Sequence, residues 1–283
     1  MCEKFLVSLK LSMSYTKKSS EIKYLREGGR KMGEILEILE KMIKPGVMGF
    51  AIDEMAEKLI LEAGGIPAFK GYRSRKGDIP FPGTLCFSLN DEVVHGIPTK
   101  EKIIQSGDLV SLDIGMQYPA NCGVGPGGNG FFVDTALTVV VGKKIPKKIR
   151  DLIEVTRVAL EKGLEQCVVG NTVADIGRAI EDYVNSQGKY GIVRDLVGHG
   201  VGHAVHEDPH VPNYYSEEYE NWILKENVVL ALEPMISEGT WKVKTASDGW
   251  SIQTADGSMS AHFEHTVIIT KKGPEVITRR PNE

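Results

Sequence analysis

Long apolar runs are missing from this chain. None approaches the ~18 residues of a membrane-spanning helix, so no membrane segment is expected. Cysteine is scarce: Cys2, Cys86, Cys122 and Cys167 form no CxxC pair and no disulfide-like spacing, and they read as reduced cytosolic thiols. Neither sign of charge dominates: 34 Lys and Arg stand against 38 Asp and Glu. A net charge of −4 over 283 residues argues against nucleic acid as a primary partner. The opening MCEKFLVSLKLSM is weakly apolar, but Lys10 interrupts it and no small-residue cleavage site follows, so a secretory leader is not expected and a cytoplasmic location is. The helical pattern begins only near Ser20. Residues 1–19 therefore read as a poorly ordered extension, with Met13 a second candidate start, and 20–283 as one catalytic domain. Glycine, by contrast, is plentiful at 31 residues, which predicts many turns and close backbone approaches.

Apolar positions recur at helical spacing over 20–44, and PGVMG stops that helix. AIDEMAEKLILEAGG reads as a second helix, and TLCFSLN, DEVVHGIP, DLVSLDIGM and FFVDTALTVVVG as strands. The order then repeats. Helices are expected over 145–167 and 172–188, and strands in DLVGHGVGHAV, NVVLALEPM and HFEHTVIIT. The second helices align at an offset of 124, Gly46 with Gly170, Ile52 with Ile176 and Glu57 with Glu181; IIQSGDLVSLDIG aligns with ILKENVVLALEPM at 120. Two copies of one α-α-β unit, with no linker between them, predict an α+β fold of two related halves facing each other across a site.

The same overlay puts Asp113 on Glu233 and, one strand later, Asp134 on Glu264. Each acid stands in an apolar strand. A buried carboxylate must be paired, protonated or metal-bound. The four strand segments hold no Lys or Arg. Two divalent cations would balance four negative charges, and oxygen-rich donors suit Mn, Fe(II) or Co. Bridged metal pairs of this kind serve hydrolysis.

Four of the seven histidines fall in GHGVGHAVHEDPH, residues 198–210. This is not HExxH, and Gly198, Gly200 and Gly202 disfavour a helix by about 1 kcal/mol each. Read as a strand, His199 and His203 share a face and His206 points away. The segment then offers one metal ligand, with other histidines left for substrate. His203 and His210 read as surface or packing residues.

The set NDEVVHGIP, LDIG, VDTA, GHGVGHAVHEDPHVPNY, LEPM and FEHT, spread over residues 20–275, resembles the type I methionine aminopeptidases. The resemblance implies the pita-bread (creatinase/aminopeptidase) fold, two pseudo-symmetric halves around a central antiparallel sheet. It implies that Asp113, Asp134, His199, Glu233 and Glu264 bind two metal ions (Co, Mn, Fe(II) or Zn), with Asp134 and Glu264 bridging. It also implies that His95 and His206 contact the scissile amide and that Glu233 shuttles the proton. Phe81, Cys86 and Trp250 become candidates for the methionine side-chain pocket. The implied reaction is removal of the initiator methionine from nascent polypeptides when the next residue is small, by a monomeric enzyme. Ribosome docking would suit such an enzyme, but no charge run marks a surface for it.

The chain departs from the family pattern in two ways. Asp113 and Asp134 are 21 apart, separated by QYPANCGVGPGGNG where the family usually has a short hairpin. That loop, 116–130, could be inert or could cover the cleft. His203 and His262 stand where a basic or polar residue and a Gln are expected. His206 and Glu233 are only 27 apart, without the large insertion of type II enzymes. A proline-specific peptidase of the same fold, or an inactive peptide-binding relative, are the competing readings. The former usually carries an extra N-terminal domain, and the latter typically loses ligands that are all present here.

Overall fold

A computed structural model describes residues 15–73, 75 and 77–283. Cys2 and the candidate start Met13 lie outside the described residues. The first half contains α1 (Ser19–Glu40), α2 (Gly49–Glu62), β1 (Ile66–Pro67), β2 (Leu85–Leu89), β3 (Glu92–Val94), β4 (Leu109–Tyr118) and β5 (Phe131–Val140). The second half contains α3 (Lys147–Glu165), α4 (Val173–Gln187), β6 (Gly191–Ile192), β7 (Gly198–Gly200), β8 (Glu207–Val211), β9 (Val229–Leu232) and β10 (Met235–Ser237). It closes with β11 (Val243–Thr245), β12 (Ile252–Thr254), β13 (Ser260–His262), β14 (Glu264–Thr270) and β15 (Gly273–Val276).

The repeat expected from the sequence is visible in the sheet. The main antiparallel path runs β1-β4-β5-β14-β9-β7-β8, with β2 on β4 and β15 on β14. β5 and β14 are neighbours at the centre, β4 and β9 their outer partners, so each half supplies one matching hairpin-like pair. This is the α+β pita-bread arrangement.

The helices form because one stripe of each is apolar. On α1, Ile22, Leu25, Met32, Ile35, Leu36 and Leu39 are buried at i, i+3, i+4 spacing. α1 lies across β4 and β5, and α3 across β9 and β14, so helices cover one face of the sheet. α4 starts with a capping box: Thr172 Oγ1 accepts from Asp175 N at 3.2 Å, and Asp175 returns a bond to Thr172 N at 2.8 Å. Buried Asp53 on α2 accepts the N–H groups of Thr84 and Leu85 at 2.6 and 3.0 Å, which pins the start of β2.

Three expectations change. The strand anticipated over 195–205 lasts only from Gly198 to Gly200, because the chain turns at Gly202 (φ +131). The strand over 227–235 breaks at Glu233–Pro234, since proline has no N–H to give the ladder. Residues 15–19 are not loose: Thr16 bridges Val228, Lys17 N–H bonds Asn227 O at 2.8 Å, and α1 begins at Ser19.

Candidate metal centre

Sheet register gathers the acids. Asp113 faces Ala136, and Ala136 faces Glu264. These form one cross-strand row on a common face, and Glu233 follows Leu232, the partner of His265, at the end of that row. Asp134 precedes Ala136 by two, so it shares the face, opposite Gly115. His199 faces Ala231, which precedes Glu233 by two. Ligand-type atoms of Asp134, His199 and Glu264 lie within 4.8 Å of one another. Asp113 lines the same cavity as Asp134, and Glu233 Oε1 is 3.6 Å from His199 Nε2. The first half thus contributes two carboxylates and the second half two carboxylates and an imidazole.

These five side chains line a cavity of ≈ 270 Å³, together with Phe81, Cys86, His95, His206 and Trp250. Among the described residues its lining includes no Lys or Arg. Burial and mutual repulsion therefore outweigh the hydrogen bonds these carboxyl groups accept, such as that from Thr135 N to Asp134 at 3.0 Å. Burial pushes the Asp113 pKa up to about 7. Burial, then neighbouring carboxylates, raise Asp134, Glu233 and Glu264 well above the carboxylate range. Asp113 Oδ1 is buried with no hydrogen-bond partner.

Could cations fill this need? The donor set fits hard or borderline divalent ions: four carboxylates, one of them with an orphaned buried oxygen, and one imidazole. His199 is prepared for such a role. Its Nδ1 lies 2.9 Å from Gly200 O, so an Nδ1–H donated there leaves the Nε2 lone pair facing the carboxylates. Burial lowers its pKa to about 3, which keeps the ring neutral.

At one wall of the cavity, Phe69, Phe81, Cys86 and Val205 form an apolar cluster, with Trp250 packed against it. Trp250 meets Phe81 edge-on at 5.3 Å, and its indole N–H bonds Ile79 O at 3.1 Å. Gly115 allows this wall to close, because a Cβ there would stand 2.7 Å from the Phe69 ring. Burial, helped by Asp113 and Asp134, raises the Cys86 thiol well above its usual value.

His95 occupies a left-handed backbone conformation (φ 58) just beyond β3, a cost tolerated where the surroundings enforce it. Its pKa falls to about 4 through burial, with His206 adding. His206 sits at the cavity mouth with part of its surface exposed. Packing around the rest of the ring, and His210 nearby, lower its pKa to about 4. Its ring is 4.5 Å from that of His199, and its Nδ1 is 2.9 Å from the Tyr72 hydroxyl. The strand reading paired His199 with His203; the turn at Gly202 instead brings His206 to His199 and sends His203 away, toward Glu21 and Phe131.

Several residues around the cavity were not singled out in the sequence. Phe69 and Tyr72 lie in a Gly-, Pro- and Lys-rich loop that reads only as a connector. Asp195, Leu196 and Val197 join the lining, as does His210, which had read as a surface or packing residue. His262 was noted only as a departure. It is 1% exposed, neither ring nitrogen has a hydrogen-bond partner, and its Nε2 is 3.6 Å from Glu233 Oε2. The loop after β4 contributes nothing to the lining: no residue of 119–130 reaches the cavity.

Residues 23–271 match the model of Metallopeptidase family M24. The chain is 43% identical to a methionine aminopeptidase of Clostridium acetobutylicum, over 94% of this chain and 99% of that one. It is 40% identical to methionine aminopeptidase 1 of Bacillus subtilis, over 94% and 100%. Among solved structures, the methionine aminopeptidase of Thermotoga maritima superposes with a TM-score of 0.84 at 37% identity, covering 94% of this chain and 99% of that one. An Xaa-Pro dipeptidase of Bacillus anthracis shares the fold, with a TM-score of 0.71 at 22% identity; the chain covers only 63% of it. With matches of this identity and coverage, the chain belongs to metallopeptidase family M24, within its methionine aminopeptidases.

Proposed function

We propose that this metallo-aminopeptidase removes the initiator methionine from nascent polypeptides whose next residue is small. The observation that carries the reading is the cluster of four buried carboxylates and His199 beside an aromatic-walled cavity with no Lys or Arg among its described lining residues. Asp113, Asp134, His199, Glu233 and Glu264 would hold two divalent cations (Mn, Fe(II), Co or Zn). Such cations supply Lewis acidity and lower the pKa of water in the site.

The protein's own groups do the rest. Glu233, the carboxylate at the end of the row, takes a proton from the attacking water and passes it to the leaving amine. His95 and His206 are neutral at pH 7, so each offers one ring N–H. With the Tyr72 hydroxyl donating to His206 Nδ1, the His206 proton resides on Nε2, free to donate to the substrate carbonyl as negative charge builds there. Phe81, Cys86 and Trp250 receive the methionine side chain, whose polarisable thioether suits aromatic edges. On this reading the enzyme works as a monomer in the cytoplasm, on chains emerging from the ribosome.

The test is initial rates on Met-Ala-Ser after metal stripping and re-addition of Mn, Co, Fe(II) or Zn, with Asp134→Ala beside the parent. Metal-dependent methionine release by the parent, lost in the variant, is the expected result. A folded parent that releases no methionine with any metal would overturn the reading.

A further inference from the structure

Residues 202–207 form the turn that carries His206 to the cavity, and the segment leading into α1 grips this turn from behind. Lys17 is buried, its side chain 1% exposed, and its ammonium pairs with the carboxylate of Glu207, the neighbour of His206. The other Glu207 oxygen accepts from His203 N at 3.2 Å. The His203 ring points to α1, where its Nε2 lies 3.3 Å from Glu21 Oε2. Glu21 also accepts the Lys18 N–H at 2.7 Å and so closes the first turn of that helix. The contact is intimate at Gly202: a Cβ there would stand 2.5 Å from Lys17 Cε, at a φ of +131 that favours glycine.

A buried ammonium is costly unless paired, and removing one partner leaves the other uncompensated. Here the pair joins residues 190 apart in sequence and ends one residue from an imidazole at the cavity. Lys17 is itself anchored through Asn227 O, just before β9, so it has a fixed frame to pull against. The turn is tied at a second point, where Gly202 O accepts from Phe132 N on β5 at 2.9 Å. We propose that Lys17 is a positioning residue: through Glu207, and with Glu21 holding His203, it fixes His206 against His199 and so sets the rate of the reaction. This rests on the role given to His206 above.

The test is a double-mutant cycle in the full-length, Mn-loaded protein, with kcat and KM on Met-Ala-Ser and Mn affinity by calorimetry. Lys17→Met keeps the apolar stem and removes the ammonium. Small misplacements of a catalytic group cost up to about 100-fold, so kcat is expected to fall about 10- to 100-fold while Mn affinity stays within about threefold. Lys17→Arg should recover most of the loss. In a His206→Ala background, Lys17→Met should cost nothing further. Equal losses in both backgrounds, or an unchanged kcat for Lys17→Met, would overturn the proposal. Should Lys17→Met not fold, Glu207→Gln enters the same cycle with the same two outcomes. If His206→Ala alone leaves kcat unchanged, the role given to His206 fails and the proposal with it. Methionine release by the parent reports separately on the reaction.

Discussion

Cys86 shows how a residue's chemistry is decided by where the fold puts it. A thiol beside a hydrolytic centre invites a nucleophilic role, yet burial holds it protonated, and it belongs to the apolar wall with Phe69 and Phe81. Cys86→Ala is therefore expected to keep kcat within about threefold and to raise KM for methionyl peptides, through loss of packing alone. Steady-state kinetics decide it: turnover slowed by about 100-fold or more would make the thiol a participant. Asp113, Asp134, Glu233 and Glu264 were legible at this scale because each breaks an apolar strand and finds its counterpart in the other half, whereas His199 was singled out by the family resemblance. Tyr72 was not. Its hydroxyl reaches His206 from 134 positions away, and nothing local marks it. His206 was legible by motif but not by periodicity, since a single glycine at +131° reverses the alternation that would have turned it from His199.

At the scale of elements, the segment between β4 and β5 is longer than the resemblance implies, and the structure separates it from the cavity. The β4–β5 ladder continues to Tyr118 and Phe131, and beyond it the loop closes on itself. Gly123 N bonds Gly128 O, Gly130 N bonds Val124 O, and Gln117 Nε2 bonds Pro126 O. Replacing 119–130 by a two-residue Asn-Gly turn suits strands already paired to their ends. Such a variant is expected to keep kcat/KM on Met-Ala-Ser within about threefold. A tenfold change in either direction on that short substrate would restore the reading in which the loop covers the cleft. The helices and the paired strands β4, β5, β9 and β14 were readable because each carries a clean apolar period. The short strands β10 to β13 were not, being three residues each and dictated by their tertiary partners. The capping box at α4 gives a further check: Thr172→Ala is expected to lower stability by about 1 kcal/mol in denaturant melts, with activity unchanged.

Across the whole molecule, the cavity couples folding to pH, and two sets of groups pull in opposite directions. In the unfolded chain the four carboxyl groups titrate near 4 and the histidines near 6.5. Folding without metal raises Asp113 to about 7 and its three neighbours well above the carboxylate range. The unfolded chain then releases those protons first, so stability falls as pH rises through this interval. Folding lowers His95 and His206 to about 4, and His199 and His262 to about 3. These rings therefore cost stability as pH falls below 6.5. Between about 4 and 6.5 the two effects offset; above 6.5 the carboxylates dominate, joined toward 8.5 by the buried Cys86 and Cys167 thiols, whose raised pKa acts in the same direction. Metal-free protein should accordingly lose Tm between pH 6.5 and 8.5. A divalent ion must displace the same protons to bind, so its affinity rises with pH and it removes the repulsion that weakened the fold. Groups elsewhere contribute alike to both forms, so the gap in Tm between Mn-loaded and chelated protein isolates the cavity. That gap is expected to widen steadily from pH 6.5 to 8.5 at fixed free Mn. A gap that stays constant would mean that the four carboxylates are already ionised without metal, and that something other than a divalent ion balances them.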